Sequence, residues 1–279
     1  MTSLKTSIKT ITYLSDIGCL EIHGASLTGG SSGIGEKIAQ GLMQNNAQVV
    51  VADLQIPAQE QRIDGVDYQL CDITDRDAVR GLMQGVIQRY GRIDGLVNNA
   101  AVNRARLLVD FYGKAPGYEL SDEDFEFMVS INQKGTFICS QESARQMIRQ
   151  KAGVIINILS EAGIEGSRGQ SCYAATKAAV QGFTLSWAKE LGAFGIRVVG
   201  VAPGINEPTP MGNMEHRKAL AYTRGMAEKD IVEDYRQKIP LGRPGRLTEI
   251  ADLVIWLASD KASYITGTTI NITGGKSRG

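Results

Sequence analysis

Three side chains have the types and the spacing for moving a proton: Ser160, Tyr173 thirteen residues later, and Lys177 four beyond that. Tyr173 and Lys177 at i,i+4 share one face of a helix. Ser160 follows the apolar run VIINIL at 154–159 and so falls at the carboxyl end of a strand, the edge where open α/β sheets bind ligands. A free phenol, with a pKa of roughly 10, is a poor acid or base near neutrality, and a nearby ammonium favours its phenolate. Lys177 is placed to supply that charge. Bringing Tyr173 towards neutrality requires on the order of 3 to 4 kcal/mol of preferential phenolate stabilisation. Ser160 then hydrogen-bonds the oxygen being oxidised or reduced while Tyr173 moves the proton. Any long helix can carry a YxxxK spacing, and the bland alternative is a buried tyrosine beside a surface lysine. The rest of the chain must decide.

The elements that position these residues begin at Ala25. TGGSSGIG at 28–35 leads into a helix over 36–44, and the strand over 48–52 ends at Asp53. Gly29, Gly33 and Gly35 allow a tight turn and close backbone approach to a pyrophosphate, whose charge sits well at a helix N-terminus. An acidic residue about 20 positions on, at the end of the second strand, is the context that gives a glycine-rich turn its meaning. Asp53 can accept from the adenosine ribose hydroxyls and repels a 2′-phosphate, while Ser31 and Ser32 stand where a cation could have held one. NAD is therefore expected as the cofactor, and the alternative for Asp53 is a plain strand-end turn residue. Strand, helix and strand repeat over 67–71, 75–90 and 92–98, an alternation that argues for a parallel sheet covered by helices on both faces. Asp72 with Ile73, Asn99 with Ala100, and Pro203 with Gly204 follow successive strands, on the side expected to face the cofactor, and Ile34 lies in the glycine-rich turn.

Residues 103–120 form a polar and aromatic loop carrying Arg104, Arg106 and Lys114 near the expected mouth, where loops commonly set substrate choice. Ser121 caps a long helix running towards residue 150, with acidic residues in its first turn. Asn132 lies inside that helix, as a catalytic residue or merely a polar cap or kink. The helix of Tyr173 also carries Ser171, Ala175, Ala178, Ala179, Gly182 and Ser186, small residues suited either to the core or to a subunit interface. Residues 205–240 break the alternation and are a candidate lid, the alternative being an ordered helical insertion. A last helix over 247–258 and a last strand over 267–272 complete one domain, and residues 1–24 form an atypical N-terminal segment whose structure is left open.

Composition narrows the function. Thirty basic and thirty acidic residues among 279 cancel, which argues against nucleic acid as a main partner, and no apolar run approaches the roughly 18 residues of a membrane span. Four cysteines without CxxC spacing fit a reducing, cytoplasmic setting. Cys172 adjoins Tyr173 and could be read as a nucleophile or as a small packing residue. Only two histidines, His23 and His216, are present, so neither a histidine metal site nor a Ser-His-Asp triad has much material. No metal is expected.

Taken together, TGGSSGIG at 28–35, NNA at 98–100, Asn132, Ser160 and YAATK at 173–177 resemble the short-chain dehydrogenase/reductase family over roughly residues 25–275. The resemblance implies a single doubly wound Rossmann domain with a seven-stranded parallel sheet. It also implies a catalytic tetrad of Asn132, Ser160, Tyr173 and Lys177, with Asn132 holding a water in a proton relay behind Lys177. Lys177 is further expected to bind the nicotinamide ribose, and family members are commonly homotetramers. The stretches INQKG, SEAGIEGSRGQSCYAATKAAV, SWAKELG and SYITGTTINITGGKSRG are similar to a bacterial branch acting on phosphorylated sugar alcohols. That narrower resemblance implies interconversion of sorbitol 6-phosphate and fructose 6-phosphate. A phosphorylated substrate needs cations, and Arg104, Arg106, Arg168, Lys276 and Arg278 are available. Three features depart from the family pattern: Ala101 follows NNA where glycine is usual, Pro208 stands where a threonine is usual, and the first strand is short and weakly apolar. The rival activities are reduction of 3-oxoacyl groups or of another polyol's ketone, and, from a different class, non-catalytic sensing of NAD and NADH.

Overall fold

Ala25–Thr28 forms β1, and despite its modest sequence all four residues are buried, because the strand lies at the middle of the sheet with β2 (Val49–Asp53) on one side and β4 (Gly95–Asn98) on the other. The structure is a computed structural model, and its described residues are 25–227 and 235–277. With β3 (Asp67–Leu70), β5 (Gly153–Ile158), β6 (Ile196–Pro203) and β7 (Thr268–Ile272), seven strands pair in parallel in the order β3-β2-β1-β4-β5-β6-β7. The chain reverses direction across the sheet between β1 and β4, the topological switch point at which such sheets open a ligand crevice.

Alternate strand residues face opposite layers. Leu27, Val49, Val51, Ile156 and Val199 pack beneath α1 (Gly33–Gln44) and α8 (Leu247–Ala258). Val50, Leu96, Ile155 and Val198 pack against α2 (Arg76–Tyr90) and α4 (Thr136–Gln150), and α6 (Ser171–Leu191) adds Ala188 on the same side. Each fully buried aliphatic side chain contributes roughly 1.5–3 kcal/mol of transfer free energy, and both layers supply them. Between β4 and β5 the core is polar: Asn98 donates to Ser140 Oγ at 2.9 Å and to Asn157 Oδ1 at 2.8 Å, and Asn157 donates to Thr184 Oγ1 at 2.9 Å. This ladder ties two strands to α4 and α6 just beneath the carboxyl edge.

The helix expected from Ser121 towards residue 150 is interrupted. Ser121 Oγ accepts from the Asp124 N–H at 3.1 Å and caps α3 (Asp122–Met128), but residues Val129–Gly135 form a π-helical stretch before α4. Such widened turns are frequent at functional sites, and this one holds Asn132. The described part of the 205–240 region contains α7 (Met214–Arg224). Residues 228–234 of that region lie outside the described residues, as does the N-terminal segment 1–24. A short helix, α5 (Ala162–Glu165), follows Ser160.

Two glycines carry the crowding at the switch point. Gly29 has φ +63°, and a Cβ on Gly35 would lie 2.1 Å from the Gly29 carbonyl oxygen. Gly35→Ala should therefore cost roughly 1–3 kcal/mol, read in thermal unfolding as a midpoint lowered by roughly 2–4 °C for each kcal/mol. Gly85→Ala, in α2 with open space around its added Cβ, should be neutral or stabilising by up to about 1 kcal/mol; equal midpoints for the two variants would contradict the packing.

Candidate active site

The glycine-rich turn and the NNA segment are built as one unit. Thr28 Oγ1 accepts from the Asn99 N–H at 3.1 Å and the Ala100 N–H at 3.2 Å, while the Asn99 amide donates to the Gly29 carbonyl at 2.8 Å. A Cβ on Gly29 would lie 2.8 Å from Ala100 Cα. Asp53 accepts from the Ser31 N–H at 3.1 Å and, more weakly, the Gln55 N–H at 3.4 Å, so its carboxylate sits directly beside the turn. Ser31 Oγ is buried without a protein partner, and Ser32 is the N-cap of α1 with no side-chain bond across it. An orphaned hydroxyl and an uncapped helix N-terminus at one turn fit an anionic ligand group. Ile34 and Gly35 are in the first turn of α1. Asp72 accepts from Thr74 N–H and Oγ1, both at 2.8 Å, and Ile73 fits where Gly135 lacks a side chain. Pro203 ends β6, and Gly204 N–H donates to the Ile272 carbonyl at 3.1 Å.

Asn132, Ser160, Tyr173 and Lys177 come from three separate elements, each held by hydrogen bonds to its neighbours. Asn132 Nδ2 donates to the Val102 carbonyl at 2.9 Å, and its Oδ1 accepts from the Val102 N–H at 2.8 Å. Its amide also reaches Thr176 Oγ1 at 3.1 Å, and Thr176 donates to the Tyr173 carbonyl at 2.8 Å. Asn132 thus joins the π-helical stretch, the loop after β4 and α6. Ser160 Oγ accepts from the Ala162 N–H at 3.2 Å and is hydrogen-bonded to Tyr173. Lys177, 4% exposed, donates to the Ile158 carbonyl at 2.7 Å, with its Nζ 5.8 Å from the Tyr173 ring centroid.

The electrostatics differ from the expectation in one respect. Lys177 does not bring Tyr173 towards neutrality in the protein alone. Burial pushes the Tyr173 phenol up to about 12, opposed only by the Ser160 hydrogen bond, and burial pushes the Lys177 ammonium down to about 8. Desolvation disfavours the charged form of each, and the ammonium is directed at a backbone carbonyl. Cys172 is likewise a packing residue: it is buried with Met128, Ala162 and Tyr173, and burial raises its thiol.

The basic residues near the mouth have protein partners. Arg104 and Arg106 each bond Asp124 at 2.6 Å; burial would raise the Asp124 carboxyl, but the two guanidiniums hold it below the usual range. Arg168 donates to the Thr223 carbonyl at 3.1 Å and to Tyr112 OH at 2.7 Å. Backbone pairing brings the two loops together, with the Arg106 N–H donating to the Gly169 carbonyl at 2.7 Å. Lys276 lies elsewhere, donating to Glu161 at 2.7 Å beside Ser160, where Ser277 Oγ donates to the other carboxylate oxygen at 2.6 Å. Arg278 lies outside the described residues. Sequence reasoning missed Thr28, Thr176, Glu161 and the Val102 backbone. Glu161, a charged residue directly after Ser160, carried a local signal, but its partners are more than a hundred residues away.

A doubly wound parallel sheet with a Ser-Tyr-Lys centre at its carboxyl edge defines a Rossmann-type oxidoreductase. The chain belongs to the short chain dehydrogenase family, whose model matches residues 24–219. It is 52% identical over 254 residues to sorbitol-6-phosphate 2-dehydrogenase of Klebsiella pneumoniae, covering 91% of this chain and 95% of that protein. It is 39% identical over 256 residues to the 3-oxoacyl-[acyl-carrier-protein] reductase of Thermotoga maritima, covering 89% and 95%. Among solved structures, Thermoplasma acidophilum aldohexose dehydrogenase superposes with a TM-score of 0.76 at 27% identity, covering 91% of this chain and 93% of that one. Brucella melitensis 3-ketoacyl-(acyl-carrier-protein) reductase complexed with NADH gives 0.76 at 26%, covering 91% and 98%.

The buried Lys177 makes a stability prediction with a definite sign. Its folded-state value is lowered from 10.5 to about 8, so between those limits the unfolded chain binds more protons and stability rises with pH. Lys177→Met removes this dependence, and the desolvation it relieves at pH 7 is about 3 kcal/mol before lost hydrogen bonding is counted. Urea unfolding at pH 7 and pH 10 checks it: the advantage of the methionine variant should shrink or reverse at the higher pH, and an advantage that grows would contradict the assignment.

Proposed function

We propose that this enzyme interconverts sorbitol 6-phosphate and fructose 6-phosphate with NAD. The observation that carries the reading is the buried Ser160-Tyr173-Lys177 centre in a chain 52% identical to a sorbitol-6-phosphate 2-dehydrogenase. The cofactor is held by Gly29, Ser31, Ser32, Gly33, Ile34 and Gly35 at the turn, Asp53, Asp72 and Ile73 at the adenosine end, and Asn99, Ala100, Tyr173, Lys177, Pro203 and Gly204 towards the nicotinamide. Asp53 beside the Ser31 N–H supports NAD, since a carboxylate there accepts from ribose hydroxyls and repels a 2′-phosphate. The bound cofactor would supply a hydride acceptor for C2 of the sugar alcohol and a positive charge that would favour the phenolate of Tyr173.

The protein's own residues handle the proton. Ser160 positions the C2 oxygen, and Tyr173 takes its proton during oxidation and returns it during ketone reduction. Lys177 holds the ribose and, with Asn132, connects Tyr173 to solvent through a water. Burial keeps Tyr173 protonated in the protein alone, which suits it to protonate a ketone and leaves the phenolate to form in the complex. The substrate phosphate meets Arg106 and Arg168; Lys276 is engaged by Glu161 instead. A guanidinium has five N–H donors, and Arg106 uses Nε and Nη1 while Arg168 uses Nε and Nη2, so both retain free donors. We also propose a cytoplasmic homotetramer associating through α4 and α6. The small residues Ser171, Ala175, Ala178, Gly182 and Ser186 lie on the exposed face of α6, which suits close approach by another subunit.

Two measurements test this reading. NADH formation at 340 nm should be strong with sorbitol 6-phosphate and NAD, weak with NADP and weak with sorbitol. Turnover of a 3-oxoacyl thioester with NADPH in place of that pattern would overturn it in favour of the other activity, and clear NAD binding without turnover of any substrate would favour a sensor. Arg106→Ala leaves Asp124 paired with Arg104, so it should raise KM about tenfold or more for the phosphorylated sugar and little for a neutral polyol; equal effects on both would remove Arg106 from the phosphate site.

A further inference from the structure

His216, one of two histidines in the chain, lies near the active-site mouth. It lies in the first turn of α7, where its backbone N–H donates to the capping Asn213 Oδ1 at 2.9 Å. The segment leading into α7 crosses the cofactor turn, with Thr209 Cβ 3.4 Å from where a Gly33 Cβ would lie. The end of α7 meets the loop before Tyr173, where a Cβ on Gly169 would lie 2.2 Å from Thr223 Oγ1. Between these points the His216 imidazole faces the Asn103 backbone. Asn103 directly follows Val102, whose N–H and C=O hold Asn132.

Two buried acceptors are left over at this place. His216 Nδ1 and Asn103 Oδ1 are both buried, and neither has a partner among the described residues. A neutral imidazole has one N–H and one bare nitrogen, and an Nδ1 buried without a partner among the described residues suits the bare one. Burial first, and the Arg224 charge second, hold His216 below the ordinary imidazole value and so keep the ring neutral near pH 7. Buried polar atoms without partners call for an explanation. An acceptor pair beside the catalytic Asn132 suits a ligand that brings hydroxyl donors.

We propose that Asn103 and His216 form a hydroxyl-recognising subsite, in which Asn103 Oδ1 and His216 Nδ1 accept hydrogen bonds from secondary hydroxyls of a polyol or sugar chain bound next to Ser160 and Tyr173. The inference rests on the sugar-phosphate reading and deepens it: the arginines select the phosphate, and this pair selects the hydroxylated chain over an acyl chain that has no such donors. A site built to accept hydroxyl hydrogen bonds discriminates strongly against an analogue lacking them, because its own polar atoms are then left unpaired.

The chain's two histidines make the test direct. In protein labelled with 15N-histidine, with His23→Gln to assign the remaining signal, His216 Nδ1 should give the resonance of an unprotonated nitrogen. That resonance should move when sorbitol 6-phosphate is added in the presence of NADH, and should stay in place with inorganic phosphate. His216→Ala and Asn103→Ala should each raise KM for sorbitol 6-phosphate about tenfold with NAD affinity unchanged, and the rise should be smaller for a deoxy analogue lacking one secondary hydroxyl. An unmoved resonance, or a KM rise equal for substrate and deoxy analogues, overturns the subsite even if the enzyme turns over sorbitol 6-phosphate well. A resonance that moves in a protein without turnover of that substrate upholds the subsite and removes the proposed reaction.

Discussion

The active site depends on one buried cation held by one backbone carbonyl. Lys177 reaches across from α6 to the Ile158 carbonyl at the end of β5, and little else near the ammonium compensates its loss of water. Removing an ammonium from water costs several kcal/mol unless its donors are satisfied, so the last residues of β5 and the first turns of α6 must be held in a fixed relation. Gly163 allows this, since a Cβ there would lie 2.9 Å from the Lys177 and Ala178 backbone. The same close approach fixes the short turn carrying Ser160. Tyr173, one helical turn before Lys177, is thereby set against Ser160.

Other parts of the chain brace that arrangement from outside. Lys276 and Ser277 satisfy both oxygens of Glu161, which adjoins Ser160. The Asn132 amide binds both polar groups of Val102 and so locks the loop after β4 to the π-helical stretch. Asn132 in this stretch also bonds Thr176 of α6, so three side-chain bonds tie it to its neighbours. The active site is in this sense a junction of strand ends, each made rigid by a bond to its neighbour.

Much of this junction was legible because chemistry and local geometry coincide in short segments. The turn at 28–35, Asp53, the NNA segment and the Ser160, Tyr173 and Lys177 set each combine residue type with a position at a strand end or on a helix face, and the strands β2, β5 and β6 are apolar runs with clear stops. The π-helical stretch was not legible, since the pairing of Asn132 with a backbone thirty residues earlier leaves no local sequence signal. Glu161 and His216 were overlooked for the same reason: their significance lies in partners, or in the lack of one, that only the assembled fold reveals. The charge state of Tyr173 was misjudged because spacing shows that an ammonium is near a phenol but not how deeply both are buried. At full burial desolvation outweighs a charge directed at a carbonyl, and the phenol keeps its proton.

The account turns on that last point, that Tyr173 is a protonated phenol in the protein alone and becomes a base only in the complex. The most direct measurement is an NMR titration of protein labelled at the tyrosine ζ-carbon, with Tyr173→Phe to assign the signal, carried out with and without NAD. The account predicts that Tyr173 shows no ionisation up to pH 10 in the protein alone, in keeping with a value of about 12, and that NAD moves its ionisation to lower pH. A Tyr173 signal already that of a phenolate at pH 8 without NAD would contradict it, and would return Lys177 to the role of the charge that lowers it.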